Sequence, residues 1–251
     1  MASLSDIVSY TDRFLRIRDV GDWDNALNGL QIENSGMVDK IGAAVDASSA
    51  TLQAAAERHI SFLLVHHGMF WPGLRPVTGL LHRQLRLALG NEIALYAAHL
   101  PLDLHPEFGN NVLLARSLGF PESDPFLDVK GVAIGRKVVA GVSRDNLAAR
   151  LEQVLNNHVH CVGGGPAQTR RIGIVTGGAG GEIYAAAREG IDTFITGEAP
   201  HWAAVAAEEL GLNLIVAGHY ATETFGVRAF GEHLSQRFKT PWEFIDHPSG
   251  L

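Results

Sequence analysis

The sequence predicts an α/β fold made of two similar halves, each a mostly parallel sheet flanked by helices. Short apolar strand segments alternate with helical segments along nearly the whole chain, as is typical of α/β proteins. The spacing of several motifs also repeats between the first and the second half. We therefore expect one half at 1–125 and another at 126–251, as separate domains or as one two-lobed unit.

The predicted strands are short apolar runs bounded by turn residues, and the helices follow from apolar residues at helical spacing. The strand segments are 40–45, 60–65, 93–98, 132–142, 171–176, 192–196, 213–217 and 242–245, of which 132–142 is either one long strand or a pair of strands. The main helical segments are 4–15, 78–89, 110–118 and about 222–238, with shorter helices between the remaining strands. Either Ser48 or Ser49 is expected to cap the helix that follows the first of these strands.

The internal repeat rests on two alignments of the sequence with itself. An offset of 131 places the pair at 41–42 on the identical pair at 172–173, and places 66–67 on 197–198. A shorter offset of 120 places His99 on His219 and Asp103 on Glu223. Because histidine and carboxylate recur at the same spacing after equivalent strands, we interpret the two halves as products of an internal duplication.

Composition narrows the class of protein. The formal net charge is −7 and no cluster of lysine and arginine stands out, so tight nucleic-acid binding is not expected of the monomer. No apolar run reaches the length of a membrane span. The single cysteine, Cys161, excludes an internal disulfide and fits a reducing compartment. A cytoplasmic location without membrane partners is the resulting expectation.

Histidines and carboxylates follow three of the predicted strands directly. The three groups are His66 with His67, His99 with Asp103, and His219 with Glu223. Ligand sites in open α/β sheets form beyond the carboxyl ends of strands, so we expect these groups to converge on one metal site between the halves. Imidazole and carboxylate without a thiolate suit zinc, iron, manganese or cobalt.

Other segments allow more than one interpretation. The glycine-rich segment 177–181 could bind an anion through backbone N–H groups or could be a tight turn. Segment 28–31 is consistent with a simple turn into a strand. His105 and His201 lie in loops near the expected site and could support the metal ligands. The remaining histidines are interpreted as structural or exposed.

Five segments in order carry a more specific pattern: NGLQIE (28–33), LLVHHGMFW (63–71), YAAHLPLDLHPEFGNN (96–111), FITGE (194–198) and AGHYATE (217–223). Together they resemble the GTP cyclohydrolase 1 type 2 homologue family, the dinuclear-metal hexameric proteins related to NGG-one-interacting factor three. They span nearly the whole chain, whose length is similar to the short bacterial form. The cyclohydrolase name is itself an inference within that family.

The resemblance implies two divalent metal ions and a ring-shaped homohexamer. The implied ligands are His66, His67, Asp103, His219 and Glu223, and all five positions hold the expected residue type. Glu223 would bridge the ions, with His67 and Asp103 on one ion and His66 and His219 on the other. The apolar segment 69–71 is expected to be exposed and available to a subunit interface.

The first functional hypothesis is a metal-dependent hydrolase of a small nucleotide-like or phosphorylated substrate, because two ions can activate water and polarise the bond it attacks. His99 would act as general acid or base, and Glu198 would support a ligand or contact the substrate. The second hypothesis is a non-enzymatic metal carrier or a hexameric scaffold. A mononuclear iron oxygenase is a third, but five ligands suit two ions better than one.

Overall fold

The structure, a computed structural model, describes residues 1–129 and 131–250 and contains both sheets and helices, which confirms the α/β class. The strands are β1 (Ala2–Ser3), β2 (Gly29–Ile32), β3 (Met37–Val38), β4 (Ile41–Asp46), β5 (Phe62–His67), β6 (Ala94–Ala97), β7 (Asp124–Val129), β8 (Val132–Ser143), β9 (His160–Gly163), β10 (Gln168–Val175), β11 (Thr193–Thr196), β12 (Asn213–Val216) and β13 (Trp242–Phe244). The helices are α1 (Leu4–Phe14), α2 (Ser49–Glu57), α3 (Gly79–Gly90), α4 (Leu100–Asp103), α5 (Asn110–Ser117), α6 (Arg144–Leu155), α7 (Ile183–Arg188), α8 (His201–Leu210), α9 (His219–Thr222) and α10 (Thr224–Phe238).

The chain divides into two compact units whose limits differ from the predicted halves. Unit 1 comprises Met1–His105 with Gly226–His247, and unit 2 comprises Pro106–Phe225 with the residues from Pro248 onward. The predicted boundary between 125 and 126 is therefore displaced. The segment Gly226–His247 falls in unit 1 because β13 pairs in parallel with β4 and extends the sheet of that unit. Sequence distance gave no indication of this pairing.

The main sheet of unit 1 has the strand order β13-β4-β5-β6-β2. Its first four strands are parallel, and β2 pairs antiparallel with β6. The side chains of β4, β5 and β6 are almost all buried, as expected of central parallel strands that are covered on both faces. His66 and His67 are the last two residues of β5, whereas the sequence had placed them just beyond the strand.

The sheet of unit 2 has the strand order β7-β8-β10-β11-β12-β9. The three strands β10, β11 and β12 are parallel, and β8 and β9 pair antiparallel with the two sides of this group. Two clusters of buried apolar side chains pack in this unit, one including Leu114, Leu147 and Ile172 and the other including Phe126 and Phe194.

The parallel strands of the two sheets correspond in order. Ile41 pairs with Phe62 in unit 1 and Ile172 pairs with Thr193 in unit 2, in agreement with the offset of 131. After the third strand the agreement is looser, because His99 is the second residue beyond β6 and His219 is the third beyond β12. The duplication itself stays a prediction.

The apolar segment 69–71 of unit 1 is less exposed than the sequence predicts. Met69 is 4% exposed and belongs to the core of the unit, and Phe70 packs against the same core. The prediction that this segment is exposed is therefore wrong for Met69, because hydrophobicity alone does not tell whether a residue after a strand turns inward. The large exposed apolar side chains nearby are Leu74, Val77, Leu80 and Leu89.

Within 1–129 and 131–250, every helix is too short or too polar to cross a bilayer.

Of the two candidate caps of α2, the structure selects Ser48. Its hydroxyl accepts a hydrogen bond from the backbone N–H of Thr51, and the Thr51 hydroxyl lies 2.8 Å from the backbone nitrogen of Ser48. The Ser49 hydroxyl is buried and has no hydrogen-bond partner among the described residues.

These two serines form a matched pair for measurement. We expect Ser48→Ala to lower the free energy of unfolding by about 1 kcal/mol, because the first turn of α2 loses its cap. Ser49→Ala should leave the free energy of unfolding unchanged or raise it slightly, since it removes a buried hydroxyl that has no partner. Urea denaturation of both variants tests this, and a larger loss in Ser49→Ala would contradict the assignment.

Candidate functional site

Two adjacent histidines at the end of β5 hold their rings in a defined orientation. The ring centroids of His66 and His67 are 4.8 Å apart. Nδ1 of His66 lies 3.0 Å from the carbonyl oxygen of Ala98, and Nδ1 of His67 lies 2.8 Å from Oδ1 of Asp46. A carbonyl or carboxylate oxygen only accepts, so each Nδ1 donates. The Nε2 atoms are then the nitrogens with lone pairs for a metal ion.

Asp103 brings a carboxylate to the same cluster of unit 1. It is the last residue of α4, and its Oδ2 lies 3.4 Å from Nε2 of His66, a side chain that is fully buried. Two ligand atoms that are each about 2.1 Å from one ion lie roughly 3 to 3.5 Å apart. The distance between His66 and Asp103 therefore fits two ligands of one ion. This pairing differs from the division that the resemblance implied, in which Asp103 shares an ion with His67 and His66 binds the other ion.

His99 belongs to this cluster as well. One ring nitrogen from each of His66, His67 and His99 lies within 4.8 Å of the others. Nδ1 of His99 is 2.9 Å from Oδ1 of Asp22, and the indole of Trp71 packs edge-on against the His99 ring at 4.9 Å between centroids. The strand exits of unit 1 thus gather three imidazoles and the carboxylate of Asp103.

Unit 2 carries a second pair of candidate ligands. His219 begins α9, and Glu223 lies between α9 and α10. The helix predicted at about 222–238 corresponds to α10, which begins at Thr224 and is preceded by the separate short helix α9. Nε2 of His219 lies 3.3 Å from Oε2 of Glu223, which is 3% exposed. Nδ1 of His219 lies 2.8 Å from Oε2 of Glu198. His219 therefore resembles His66 of unit 1: its Nδ1 is hydrogen-bonded to an oxygen atom, and its Nε2 lies beside a carboxylate.

The charge state of His219 follows from these carboxylates. The hydrogen bond to Glu223 raises the pKa of His219 to about 9, against the opposing effect of burial and with a further contribution from Glu198. A metal ion that binds here must displace the proton on Nε2. Metal affinity of this pair is therefore expected to rise with pH until His219 is neutral.

The glycine-rich segment after β10 is a tight bend that continues into a short 3-10 helix, Ala179–Glu182, and it makes room for these ligands. The backbone N–H of Gly177 donates to the Thr222 hydroxyl, and the N–H of Gly180 donates to the carbonyl of Glu198. Because these donors are used internally, the structure favours the tight turn over the anion site. A Cβ atom on Gly177 would lie 2.1 Å from Oε1 of Glu223, so the absent side chain leaves space for the carboxylate.

The remaining predicted residues have varied positions. Glu198 contacts His219, as described above. His105 stacks on Phe14 within unit 1 with 4.8 Å between ring centroids, and His201 is an exposed residue at the start of α8. The motifs of the sequence pointed to neither Asp22 nor Asp46. Asp46 could have been identified from the sequence, because it is the last residue of β4 and the neighbouring strand β5 ends in histidine. Asp22 lies in a loop and belongs to no recognisable motif.

The donor set fits a divalent metal ion. Imidazole nitrogens and carboxylate oxygens lie 3.3–3.4 Å apart in each unit, and sulfur is absent from these groups. This combination suits zinc, iron, manganese or cobalt. The histidine and carboxylate groups of this chain can therefore hold metal.

Comparison with known proteins agrees with the resemblance. The family model described as Duf34/NIF3 (NGG1p interacting factor 3) matches residues 2–249. A protein of Deinococcus radiodurans named GTP cyclohydrolase 1 type 2 homolog is 41% identical, covering 98% of this chain and 94% of that protein. A protein of Pseudomonas aeruginosa with the same name is 40% identical, covering 98% of each.

Solved structures give the same result. The crystal structure of TTHA1606 from Thermus thermophilus has a TM-score of 0.91 and 42% identity, with all of both chains covered. Reduced HcgD from Methanocaldococcus jannaschii has a TM-score of 0.87, and at 24% identity over 98% of each chain it shows the fold alone.

The glycine turn provides a test of the ligand pair in unit 2. Gly177→Ala should lower metal affinity by at least about tenfold, because the new methyl group displaces the Glu223 carboxylate. It should also lower the free energy of unfolding by about 1–2 kcal/mol, because φ at Gly177 is +71°. Calorimetric titration with zinc measures the first effect and urea denaturation measures the second.

Gly190→Ala is the matched control. Its φ is +75°, and its Cβ would meet only the guanidinium of Arg171, at 3.4 Å. This variant should lose similar stability and keep wild-type metal affinity. Equal metal affinity in the two variants would show that space at Gly177 does not matter for Glu223.

Proposed function

The chain belongs to the Duf34/NIF3 family, and we propose that it binds two divalent metal ions per chain. The proposed ligands are His66, His67, Asp103, His219 and Glu223, with Glu223 as the bridge. The orientation of the three histidines carries this proposal. In each of them Nδ1 is engaged with an oxygen atom, which leaves Nε2 to bind metal.

We propose further that the protein is a metal-dependent hydrolase of a small nucleotide-like or phosphorylated substrate. Bound metal ions would supply Lewis acidity and lower the pKa of water. The relatives named GTP cyclohydrolase 1 type 2 homolog support a substrate of the nucleotide class. His99 supports the hydrolase because it lies beside His66 and His67 but is not one of the five ligands. It is therefore left to accept or donate a proton at Nε2.

A metal carrier or scaffold is the second candidate function. The side chains of His67 and His219 keep 18% and 29% of their surface exposed, which would allow bound ions to exchange. A carrier would release metal to a chelator and show no turnover, whereas a hydrolase would turn over substrate with its metal retained.

Assembly into a homohexamer stays a prediction of the resemblance. Several exposed apolar side chains of unit 1 are available for contact with another subunit, among them Leu74, Val77, Leu80 and Leu89. We propose these side chains as the interface instead of the segment 69–71, because Met69 is buried in the core of unit 1.

Metal stoichiometry tests the ligand assignment. Wild-type protein should hold about two ions per chain, since five ligands with one bridging carboxylate exceed the needs of a single ion. Glu223→Ala should weaken both sites and Asp103→Ala mainly one. Glu208→Ala, an exposed position on α8, should bind as the wild type does. Elemental analysis after dialysis measures the ratio. A single tightly held ion in saturated wild type, or full occupancy in Glu223→Ala, would rule the assignment out.

Replacement of His99 tests the hydrolase proposal. A screen of nucleotides and phosphorylated metabolites first identifies a substrate of the metal-loaded wild type. His99→Ala should then retain both metals and lower turnover by roughly 10²–10⁴-fold, because a group that moves a proton is lost. His82→Ala, at an exposed position on α3, is the control.

The outcomes of this experiment separate the candidates. Wild-type activity in metal-replete His99→Ala would mean that His99 serves only to orient Asp103. An absence of turnover by metal-loaded wild type across the whole screen would favour the carrier or scaffold.

A further inference from the structure

Asp22 lies in the loop between α1 and β2, far in sequence from every candidate ligand. We propose that it is a positioning residue that fixes the ring of His99 with its proton on Nδ1. Nε2 is then the lone-pair nitrogen that this ring presents to the histidine cluster of unit 1. The hydrogen bond between Asp22 and His99 needs neither metal nor substrate. Only the role of Nε2 in proton transfer rests on the proposed function.

Several hydrogen-bond donors hold the carboxylate of Asp22 in place. Its side chain is 6% exposed. It accepts hydrogen bonds from the backbone N–H of Trp23 at 2.7 Å, the amide of Asn28 at 2.8 Å, Nδ1 of His99 at 2.9 Å and the backbone N–H of Leu100 at 3.0 Å. A carboxylate with this many fixed donors cannot reorient without losing several hydrogen bonds at once.

These contacts determine which nitrogen of His99 carries the proton. Burial acts to raise the pKa of Asp22, but the hydrogen bond and charge of His99, with the donors on Asn28 and Trp23, outweigh it and lower the pKa. Asp22 is therefore ionised at neutral pH and has no proton to give. Nδ1 of His99 must be the donor, and the neutral ring keeps its lone pair on Nε2.

The position of the ring is fixed together with its tautomer. The side-chain oxygen of Asn28 accepts the backbone N–H of His99 at 2.7 Å, so one amide holds both the main chain of His99 and the carboxylate of Asp22. Trp71 packs perpendicular to the ring, with an angle of 89° between the planes. Turning the ring over would place a C–H group against the carboxylate and break the hydrogen bond.

The same arrangement occurs at the proposed ligand histidines. Nδ1 of His66, His67 and His219 is engaged by the Ala98 carbonyl, Asp46 and Glu198, respectively. His99 is thus prepared with a lone pair on Nε2 in the way that metal ligands are, although it is not one of the five proposed ligands. A residue that only fills space beside Asp103 would have no need of a buried carboxylate to set its tautomer.

A purely structural role for Asp22 makes a different prediction. Asp22 also binds the first N–H of α4, so it could serve only to cap that helix. If Asp22 served only as this cap, its replacement would loosen α4 and lower stability. The tautomer of His99 would then not be fixed by Asp22 even in the wild type. The tautomer of His99 therefore separates the two roles.

Nitrogen-15 NMR of histidine-labelled full-length protein measures this tautomer, with and without zinc and at a pH where the His99 ring is neutral. His99→Gln identifies the resonances. We expect wild-type His99 to show a protonated Nδ1 and an unprotonated Nε2 under both conditions. In Asp22→Asn the amide can donate as well as accept, so the Nε2 resonance should move substantially toward the protonated position.

Asp24→Asn is the matched control, because Asp24 is an exposed aspartate of the same loop. It should leave the His99 spectrum unchanged. A wild-type His99 protonated on Nε2 would overturn the proposal, and this result stands even if Asp22→Asn does not fold. A folded Asp22→Asn protein with the wild-type tautomer would overturn it as well. Metal stoichiometry, measured separately, shows whether the proposed function fails for its own reasons.

Discussion

The hydrogen bond from a histidine Nδ1 to an oxygen atom governs what the candidate site can do. Four imidazoles make it, and their acceptors are Asp46, the carbonyl of Ala98, Asp22 and Glu198. An imidazole without such an acceptor can rotate and can carry its proton on either nitrogen, so its lone pair has no fixed direction. The acceptors convert flexible side chains into oriented donors, and metal binding depends on that orientation.

The acceptors are set in place by the sheets. In unit 1 the parallel register places Asp46 opposite His67, and the carbonyl that receives His66 lies just beyond the neighbouring strand β6. In unit 2 Glu198 follows β11, and His219 follows the adjacent strand β12. Strand register therefore determines ring orientation, and a slip of one residue in either ladder would separate each imidazole from its acceptor.

The distinction between hydrolase and carrier depends on groups beyond the ligands. A carrier needs only ligands and a path for exchange, whereas a hydrolase also needs a group that moves protons. His99 and Asp22 form a half-buried imidazole–carboxylate pair beside His66 and His67. This pair places a charged group with little solvent exposure in the fold and engages four hydrogen-bond donors, an arrangement that metal storage alone does not require. It supports the hydrolase, and it does so without reference to the names of relatives.

The sequence by itself determined the α/β class, the strands that precede the chemistry and the identity of the histidines and acids at their ends. It could do so because apolar runs and strand exits are local features, and because the segments 63–71 and 217–223 carry a specific pattern. Only the tertiary structure decided the contents of the two units, since β13 joins β4 across almost the whole sequence. It also decided that Met69 is buried, that the glycine turn accommodates Glu223, and that Asp22 holds His99 from 77 residues away. The physical reason is common to all four: hydrogen bonds and packing join groups that are close in space, and periodicity along the chain contains no information about such pairs.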